Sequence, residues 1–264
     1  MNAQAMLERF SEQQVLAFAL VLARIAPLFM IAPLFSSKSF PPRVRGVAAV
    51  ALAIGISPLA ATTLGDERIP DGIWAMAGLV GKEMLVGLAF AFGIAALFAA
   101  VSAAGAILDL SIGFSLGGVV DPLTGTQSSL LQQLYTMIGV MVFIAIGGDG
   151  WVIAGLARSY EAVPLLDAPQ LGSLTQAAQL AFSGVFVAAI QICAPVLLAL
   201  IITDVAIGVV SKVVPQLNVF AVGFPAKLIV GLVLLGASLP FVSNFFIGSL
   251  QDSVAEALHF LKVA

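Results

Sequence analysis

Charged residues are scarce in this sequence. Of its 264 residues only 9% are charged, whereas 61% are hydrophobic, and the mean hydropathy is +1.11. An ordinary soluble domain is about 25% charged and about 45–50% apolar. The scarcity of charge therefore excludes an ordinary soluble domain and indicates an integral membrane protein.

Basic clusters, cysteines and histidines are also scarce. The formal net charge is −3 and no run of lysines and arginines occurs, so the sequence has no nucleic-acid footprint. Cys193 is the only cysteine, which excludes an internal disulfide and a cysteine-based metal cluster. His259 is the only histidine, which argues against a multi-histidine metal site. We expect no metal or cofactor.

Long apolar runs fill the space between the few charges. A membrane-spanning helix needs about 20 apolar residues, and six runs approach or exceed that length. They are residues 15–34 (interrupted by Arg24), 47–64, 84–108 (with an apolar lead-in at 73–80), 130–146, 177–210 and 228–250. The predicted fold is therefore all-α: an integral membrane protein of about six long apolar helices in a single membrane domain, residues 1–264.

The third run is rich in small residues at helical spacing. Ala96, Ala100 and Ala104 form one i, i+4 row, which allows close approach of another helix backbone. We expect this face to pack on protein rather than on lipid. The alternative is that alanine is simply common in this protein.

The segment "IGFSLGGVVDPLTGTQSS", residues 112–129, breaks the apolar pattern in the middle of the chain. Its glycines and proline would disrupt a continuous helix. Non-helical backbone at membrane depth is tolerated only where protein buries it or where it lines an aqueous cavity. The segment is therefore either an exterior loop or part of a conduit. The carboxylates of Asp109, just before the segment, and Asp121, within it, would face a bundle interior or water.

The same segment contains a short pattern that occurs in hydrolases. "GFSLG" at 113–117 matches G-x-S-x-G, and Asp204 and His259 follow Ser115 in the order of a hydrolase triad. The nucleophile elbow needs a strand before the serine, whereas "AGAILDL" continues a helical pattern. We therefore expect no enzyme and no catalytic residues.

The most specific local pattern lies near the carboxy terminus, in "VVPQLNVFAVGFPAKLIVGL", residues 213–232. Pro215 is expected to end the fifth helix, "QLNVFAVGFP" to form a compact turn, and Pro225 to begin the sixth helix, where its missing N–H is not needed. Two long helices would then form a hairpin, with Lys212 and Lys227 at the flanks of its turn. The turn could also be a simple link that sets membrane topology.

These residues resemble the FliR family, flagellar biosynthesis proteins of the bacterial type III export gate. The hairpin matches the family pattern P-Q-x-N-x-F-x-x-G-F-P-x-K. Further similarity covers the whole chain: "LARIAPLFMIAPLFSS" with "PPRVR", "GAILDLSIGFSLGGVVDP" and "GGDGWVIAGLARSYEAVPL" resemble the amino-terminal, central and pre-hairpin parts of the family.

The resemblance implies a non-enzymatic core subunit of an export gate. Members of the family assemble in the bacterial inner membrane, in the flagellar basal body, with FliP, FliQ and FlhB family subunits, and unfolded flagellar subunits pass through the centre. Residues 1–172 would resemble FliP in shape, and residues 173–264 would resemble the helical hairpin of FliQ.

The resemblance also implies two sets of functional residues. The central loop would plug the pore. This loop comprises Gly113, Phe114, Ser115, Leu116, Gly117, Gly118, Val119, Val120, Asp121 and Pro122. Contacts with sister subunits are expected from the alanine row, from the hairpin and from Arg24, which should pair with a carboxylate on a neighbouring helix. These residues are Arg24, Ala96, Ala100, Ala104, Lys212, Pro215, Gln216, Asn218, Phe220, Gly223, Phe224, Pro225 and Lys227.

A secondary transporter for a small solute is the alternative function. It would also use broken helices and intramembrane carboxylates, but such proteins commonly contain related halves, and this sequence shows no convincing internal repeat. A transporter would bind its solute alone, whereas a gate subunit would copurify with other hydrophobic proteins.

Overall fold

The structure, a computed structural model, consists of α-helices. It describes residues 12–36, 40–62, 72–114, 129–167, 170–216 and 218–262. Within these residues there is no strand, and the helices are α1 (Glu12–Ile31), α2 (Pro42–Ala61), α3 (Ile73–Ile112), α4 (Leu130–Ala145), α5 (Gly148–Ala162), α6 (Leu171–Val213) and α7 (Val219–Lys262). The predicted all-α class is confirmed.

Five of the described helices, namely α1, α2, α3, α6 and α7, are long and apolar enough to cross a membrane. A sixth candidate arises if α4 and α5 count as the two halves of one broken span. The break lies at Gly147, whose φ of 66° is in the left-handed region that favours glycine. About six apolar helices were predicted from the sequence, and the structure agrees.

One helix was missed by the sequence prediction, which treated the residues after 146 as a link. Residues Gly148–Ala162 form α5 instead. Asp149, Arg158 and Glu161 lower the hydropathy of this stretch, so a search for uncharged runs does not detect it. The three residues are exposed, while Val152, Leu156 and Tyr160 are buried on another face of the helix.

The predicted start of the last helix was also wrong. Helix α7 begins at Val219 rather than at Pro225, which lies inside the helix. The side-chain oxygen of Asn218 accepts a hydrogen bond from the backbone N–H of Ala221 at 3.3 Å, as a helix-capping asparagine does. The cap fixes the start of α7, and the helix continues through the proline. The other boundary agrees with the prediction, because α6 ends at Val213, just before Pro215.

The chain has two compact units. Unit 1 comprises Met1–Ala95, Gly147–Ala181 and Leu250–Ala264, and unit 2 comprises Ala96–Ile146 and Phe182–Ser249. Helices α3, α6 and α7 each contribute residues to both units. The units thus cut across the division at residue 172, which concerned likeness in shape to FliP and FliQ and stays a prediction.

Unit 1 contains the contact of α1 with α2 and of α2 with α5. Helix α1 buries Leu20, Ile25 and Leu28 completely. Helix α3 approaches α1 so closely that a Cβ built on Gly87 would overlap the backbone carbonyl of Arg24. Glycine is therefore required at position 87 for these two helices to meet.

Three aromatic rings pack together in unit 2, and glycine lies where helices α3 and α4 approach each other most closely. The ring of Phe98 lies 5.5 Å from that of Phe143 and 5.2 Å from that of Phe246, measured between centroids. Gly105 of α3 faces the backbone of α4, where an added Cβ would lie 2.6 Å from the carbonyl oxygen of Leu131.

The predicted alanine row lies on the buried side of this same stretch of α3. Ala96, Ala100 and Ala104 are 9%, 1% and 0% exposed. The expectation that this face packs on protein is confirmed within the chain, and the expected contact with sister subunits stays a prediction.

Two glycines of α3 provide a matched test of this packing. Gly105→Ala should lower the free energy of unfolding by about 1–3 kcal/mol because its Cβ would push α4 away. Gly93→Ala places the same methyl group on the same helix where no atom lies within 4 Å, so it should not destabilise the protein. Thermal unfolding of the purified protein in detergent measures both. Equal melting temperatures for the two variants would contradict the packing described for unit 2.

Candidate functional site

The central loop connects the end of α3 to the start of α4, and we call these two helix ends the root of the loop. Helix α3 ends at Ile112, and Gly113 turns the chain with a φ of 98°, in the left-handed region. Gly113 is buried and Phe114 is half-buried. The other residues predicted to plug the pore, Ser115–Pro122, lie outside the described residues.

Asp109 holds the two sides of this root together. Its carboxylate accepts a hydrogen bond from the backbone N–H of Leu131 at 3.1 Å, and the residue is 2% exposed. The N–H of Leu131 belongs to the first turn of α4, where no partner exists within the helix. A negative charge at this end also suits the helix dipole. The carboxylate thereby links the last turn of α3 to the first turn of α4.

Two further polar contacts support this junction. Ser129 caps α4 by accepting a hydrogen bond on its hydroxyl oxygen from the N–H of Gln132 at 3.2 Å. The side-chain amide of Gln132 donates to the hydroxyl of Ser102 on α3 at 3.0 Å. From the sequence, Asp109 was expected to face a bundle interior or water, and it faces the interior. Its partner was not foreseeable, because the bond joins residues 22 positions apart.

The hairpin residues have a mixed environment. Lys227 forms an ion pair with Asp204 at 2.6 Å, with side chains 24% and 51% exposed. Gly223 is buried, and a Cβ there would contact Ile207 at 3.5 Å. Exposed members of the predicted contact set are Lys212, Pro215, Gln216, Asn218, Phe224 and Pro225. The side chain of Phe220 lies outside the described part of the structure.

A second cluster of polar groups is buried in unit 1 around Arg24. Its Nε donates to the Oε2 atom of Glu83 at 2.5 Å, and the two residues are 0% and 2% exposed. Its Nη1 donates to the backbone carbonyl of Ser159 at 3.1 Å, and its Nη2 donates to that of Val163 at 2.9 Å. The guanidinium carbon also lies 4.1 Å from the centre of the Tyr160 ring.

This geometry assigns Arg24 two tasks. It neutralises Glu83, and it bonds to two carbonyls at the carboxy-terminal end of α5. The carbonyl of Ser159 also accepts the backbone N–H of Val163 at 2.9 Å, whereas that of Val163 lies just beyond the last residue of the helix. The sequence predicted a carboxylate partner on a neighbouring helix, and Glu83 on α3 is that partner. The partners that the structure gives to the guanidinium lie in the same chain, and a contact of Arg24 with a sister subunit stays a prediction.

Within the described residues, these elements define a class of protein: a helical membrane protein with one buried charge pair and with the ends of α3 and α4 joined by a carboxylate. The family profile described as bacterial export proteins, family 1, matches residues 15–253. The Flagellar biosynthetic protein FliR of Bacillus subtilis (strain 168) is 32% identical over 222 residues, covering 83% of this chain and 84% of the relative. FliR of Escherichia coli (strain K12) is 29% identical over 224 residues, with 85% and 84% covered.

A relative with a different name is also similar to this chain. The Surface presentation of antigens protein SpaR of Shigella flexneri is 28% identical over 210 residues, covering 78% of each chain. The chain belongs to the family of bacterial export proteins, family 1. It is a membrane-embedded, non-enzymatic component of a type III export apparatus and assembles with other subunits of the export gate.

Removing the carboxylate of Asp109 tests the junction. Asp109→Ala should leave the buried N–H of Leu131 without a partner, at a cost of about 1–3 kcal/mol. Asp109→Asn retains a side-chain oxygen as acceptor and should cost less. Hydrogen exchange at residues 130–134, followed by mass spectrometry, should become faster in the alanine variant. Unchanged exchange there would show that the carboxylate does not hold α4.

Substitutions at Arg24 and Glu83 separate the contribution of their ion pair from that of the bonds between Arg24 and the carbonyls of Ser159 and Val163. Arg24→Leu should destabilise the protein by about 3–5 kcal/mol, because it leaves the charge of Glu83 unpaired. Glu83→Gln keeps an acceptor for Nε and should cost less. The double variant Arg24→Leu with Glu83→Leu should stay destabilised, because the carbonyl of Val163 loses the donor that Arg24 provides and the carbonyl of Ser159 loses one of its two donors. Thermal unfolding in detergent measures all three, and full rescue by the double variant would show that the carbonyl contacts contribute nothing.

Proposed function

We propose that this chain is a core subunit of the flagellar export gate in the bacterial inner membrane, at the flagellar basal body. It would form part of the channel together with FliP, FliQ and FlhB family subunits, and unfolded flagellar subunits would pass through that channel. The central loop, residues 113–122, would plug the pore before export begins. Family membership and the names of the relatives support the export role.

The exposed charges of unit 1 lie at the level of the middle of an apolar helix, which supports a channel formed together with partner subunits. Arg24 lies near the middle of the apolar segment Gln14–Ile31, and its bonds bring the end of α5 to the same level. Arg158 and Glu161 are exposed near that end of α5. If lipid surrounded this chain alone, these charges would lie deep in hydrocarbon, which is costly. Neighbouring protein or water must therefore cover this part of unit 1.

The surface of the hairpin supports the same conclusion. Large apolar side chains are exposed along α6 and α7, among them Phe186, Ile190, Leu198, Ile202, Val205, Val209, Ile229, Leu232 and Val233. Asp204 is half exposed within this apolar surface and is bonded to Lys227. A carboxylate in such a surface needs a polar environment, which a partner subunit or a water-filled passage provides. The hairpin thus has the surface of a subunit within a larger assembly.

The hydrogen bond between Asp109 and Leu131 is the observation that best supports the plug. Asp109 bonds the end of α3 to the start of α4, so the two points between which residues 113–129 run are held together by a buried contact. An irregular segment between apolar helices is tolerated where protein or water surrounds it. A channel interior formed by partner subunits provides both. Phe114, Val119 and Val120 would exclude water and ions from it.

Deletion of residues 113–122 tests the plug. Ion flux through the purified gate, reconstituted in vesicles, should increase at least severalfold in the deletion variant because its passage is no longer blocked. Native mass spectrometry of the same sample serves as the control for complete assembly. A correctly assembled variant whose ion flux equals that of the wild type would refute the plug.

A further inference from the structure

Helix α4 presents two exposed faces of different chemistry in its first half. Leu130, Leu134 and Met137 are 62%, 42% and 58% exposed and form an apolar face. The second face carries amides and hydroxyls. It consists of Ser129, Gln132, Gln133 and Thr136, whose spacing of three and four residues places them on one side of the helix. We call this set the polar face of α4.

The polar face is exposed and partly preorganised. Gln132 and Gln133 are exposed, while Ser129 and Thr136 are half-buried. The hydroxyl of Thr136 donates to the backbone carbonyl of Gln132 at 2.8 Å. The side-chain amide nitrogen of Gln132 donates to the hydroxyl of Ser102 at 3.0 Å. The amide oxygen of Gln132 is thus presented in a fixed orientation at the root of the central loop.

Lipid is an unfavourable environment for such a face. Amides lose water hydrogen bonds on entering hydrocarbon, at a cost of about 1–3 kcal/mol per group in proteins. In an otherwise apolar chain, the polar face therefore marks contact with water or with a hydrogen-bonding partner. The apolar face of the same helix remains available for lipid or for sister subunits, so the two faces serve different surroundings.

Helix α4 and the stretch of α3 in unit 2 carry no exposed charge, which narrows the choice of partner for the polar face. Within the described residues 96–114 and 129–146, Asp109 is the only charged side chain, and it is buried. A wall of neutral amides can bond to the peptide groups of any sequence and repels neither sign of charge. This chemistry fits an extended polypeptide in transit better than a folded partner that is recognised by its charges.

We infer that the polar face of α4 is a wall of the passage and contacts the backbone of the unfolded chain being exported. This inference rests on the proposed export function, and it adds a surface beyond the loop. The amides of Gln132 and Gln133 exchange hydrogen bonds with successive peptide groups as the chain moves. Because water and peptide groups are alternative partners for the same amides, no single bond holds the substrate.

Site-directed disulfide formation tests the inference. Gln133→Cys is introduced into the assembled gate, and an export substrate that carries single cysteines is stalled in it by a folded domain at its end. The native Cys193 is buried and can be retained. Oxidation should join the substrate to position 133. The matched control is Leu134→Cys, which is exposed on the apolar face about 100° around α4 from position 133 and should give no substrate adduct.

Each other outcome has a defined meaning. A disulfide between position 133 and a sister subunit, or equal substrate adducts at 133 and 134, would overturn the inference. Substrate adducts at a cysteine replacing Val119 in the loop, with none at 133, would also overturn it while leaving the proposed function intact. Adducts at neither 119 nor 133 would contradict both.

An export assay provides a second measurement. The double variant Gln132→Leu with Gln133→Leu should reduce the export rate severalfold, because the passing chain loses its hydrogen-bonding wall. The amount of assembled gate should stay unchanged, and Met137→Leu on the apolar face should export at the wild-type rate. An unaltered export rate in the double variant would overturn the role of the amides.

Discussion

Every buried charge in this chain must find a partner inside the protein, because lipid offers none. The guanidinium of Arg24 shows how fully this requirement is met. It has no exposed surface, yet it bonds to a carboxylate and to two backbone carbonyls, and its flat side lies against an aromatic ring. Three helices meet at these bonds, namely α1, α3 and α5. The arrangement of unit 1 is therefore fixed around one side chain, and the apolar contacts pack around it.

The same requirement explains the centre of the chain. The carboxylate of Asp109 accepts a backbone N–H of α4, much as Arg24 donates to the carbonyl of Val163 at the end of α5. In both places a side chain from one helix bonds to a backbone group at the end of another helix. Such contacts are directional, whereas the burial of apolar surface is not. They allow a chain with few polar residues to define where its helices end and which ends meet.

Much of the fold followed from hydropathy, because apolar runs of sufficient length permit little besides helices. The end of α3 at Ile112 and the end of α6 before Pro215 were also predictable from the sequence, since glycine and proline act locally. Helix α5 was missed because its charges lie on its exposed face. The start of α7 was misplaced because the cap by Asn218 outweighed the preference of Pro225 for a first turn.

Tertiary partners could not be predicted from the sequence in the same way. Arg24 required a carboxylate, but nothing in the spacing distinguishes Glu83, 59 residues away, from other acidic residues. The contacts of Asp109 with α4 and of Lys227 with Asp204 also depend on how the helices pack, so the spacing along the sequence does not reveal them. Family resemblance supplied the export function, and the described geometry adds the polar face of α4, which resemblance did not indicate.

The exposed apolar surface of the hairpin has a consequence for synthesis in the cell. A newly made copy without its companions presents Phe186, Ile202 and Val233 to any surface it meets. Such a molecule is a target for quality-control proteases and for unproductive clumping. Its lifetime then depends on how soon companions arrive, so the scarcest companion sets how many copies survive. Coordinated production of all the components would avoid this waste.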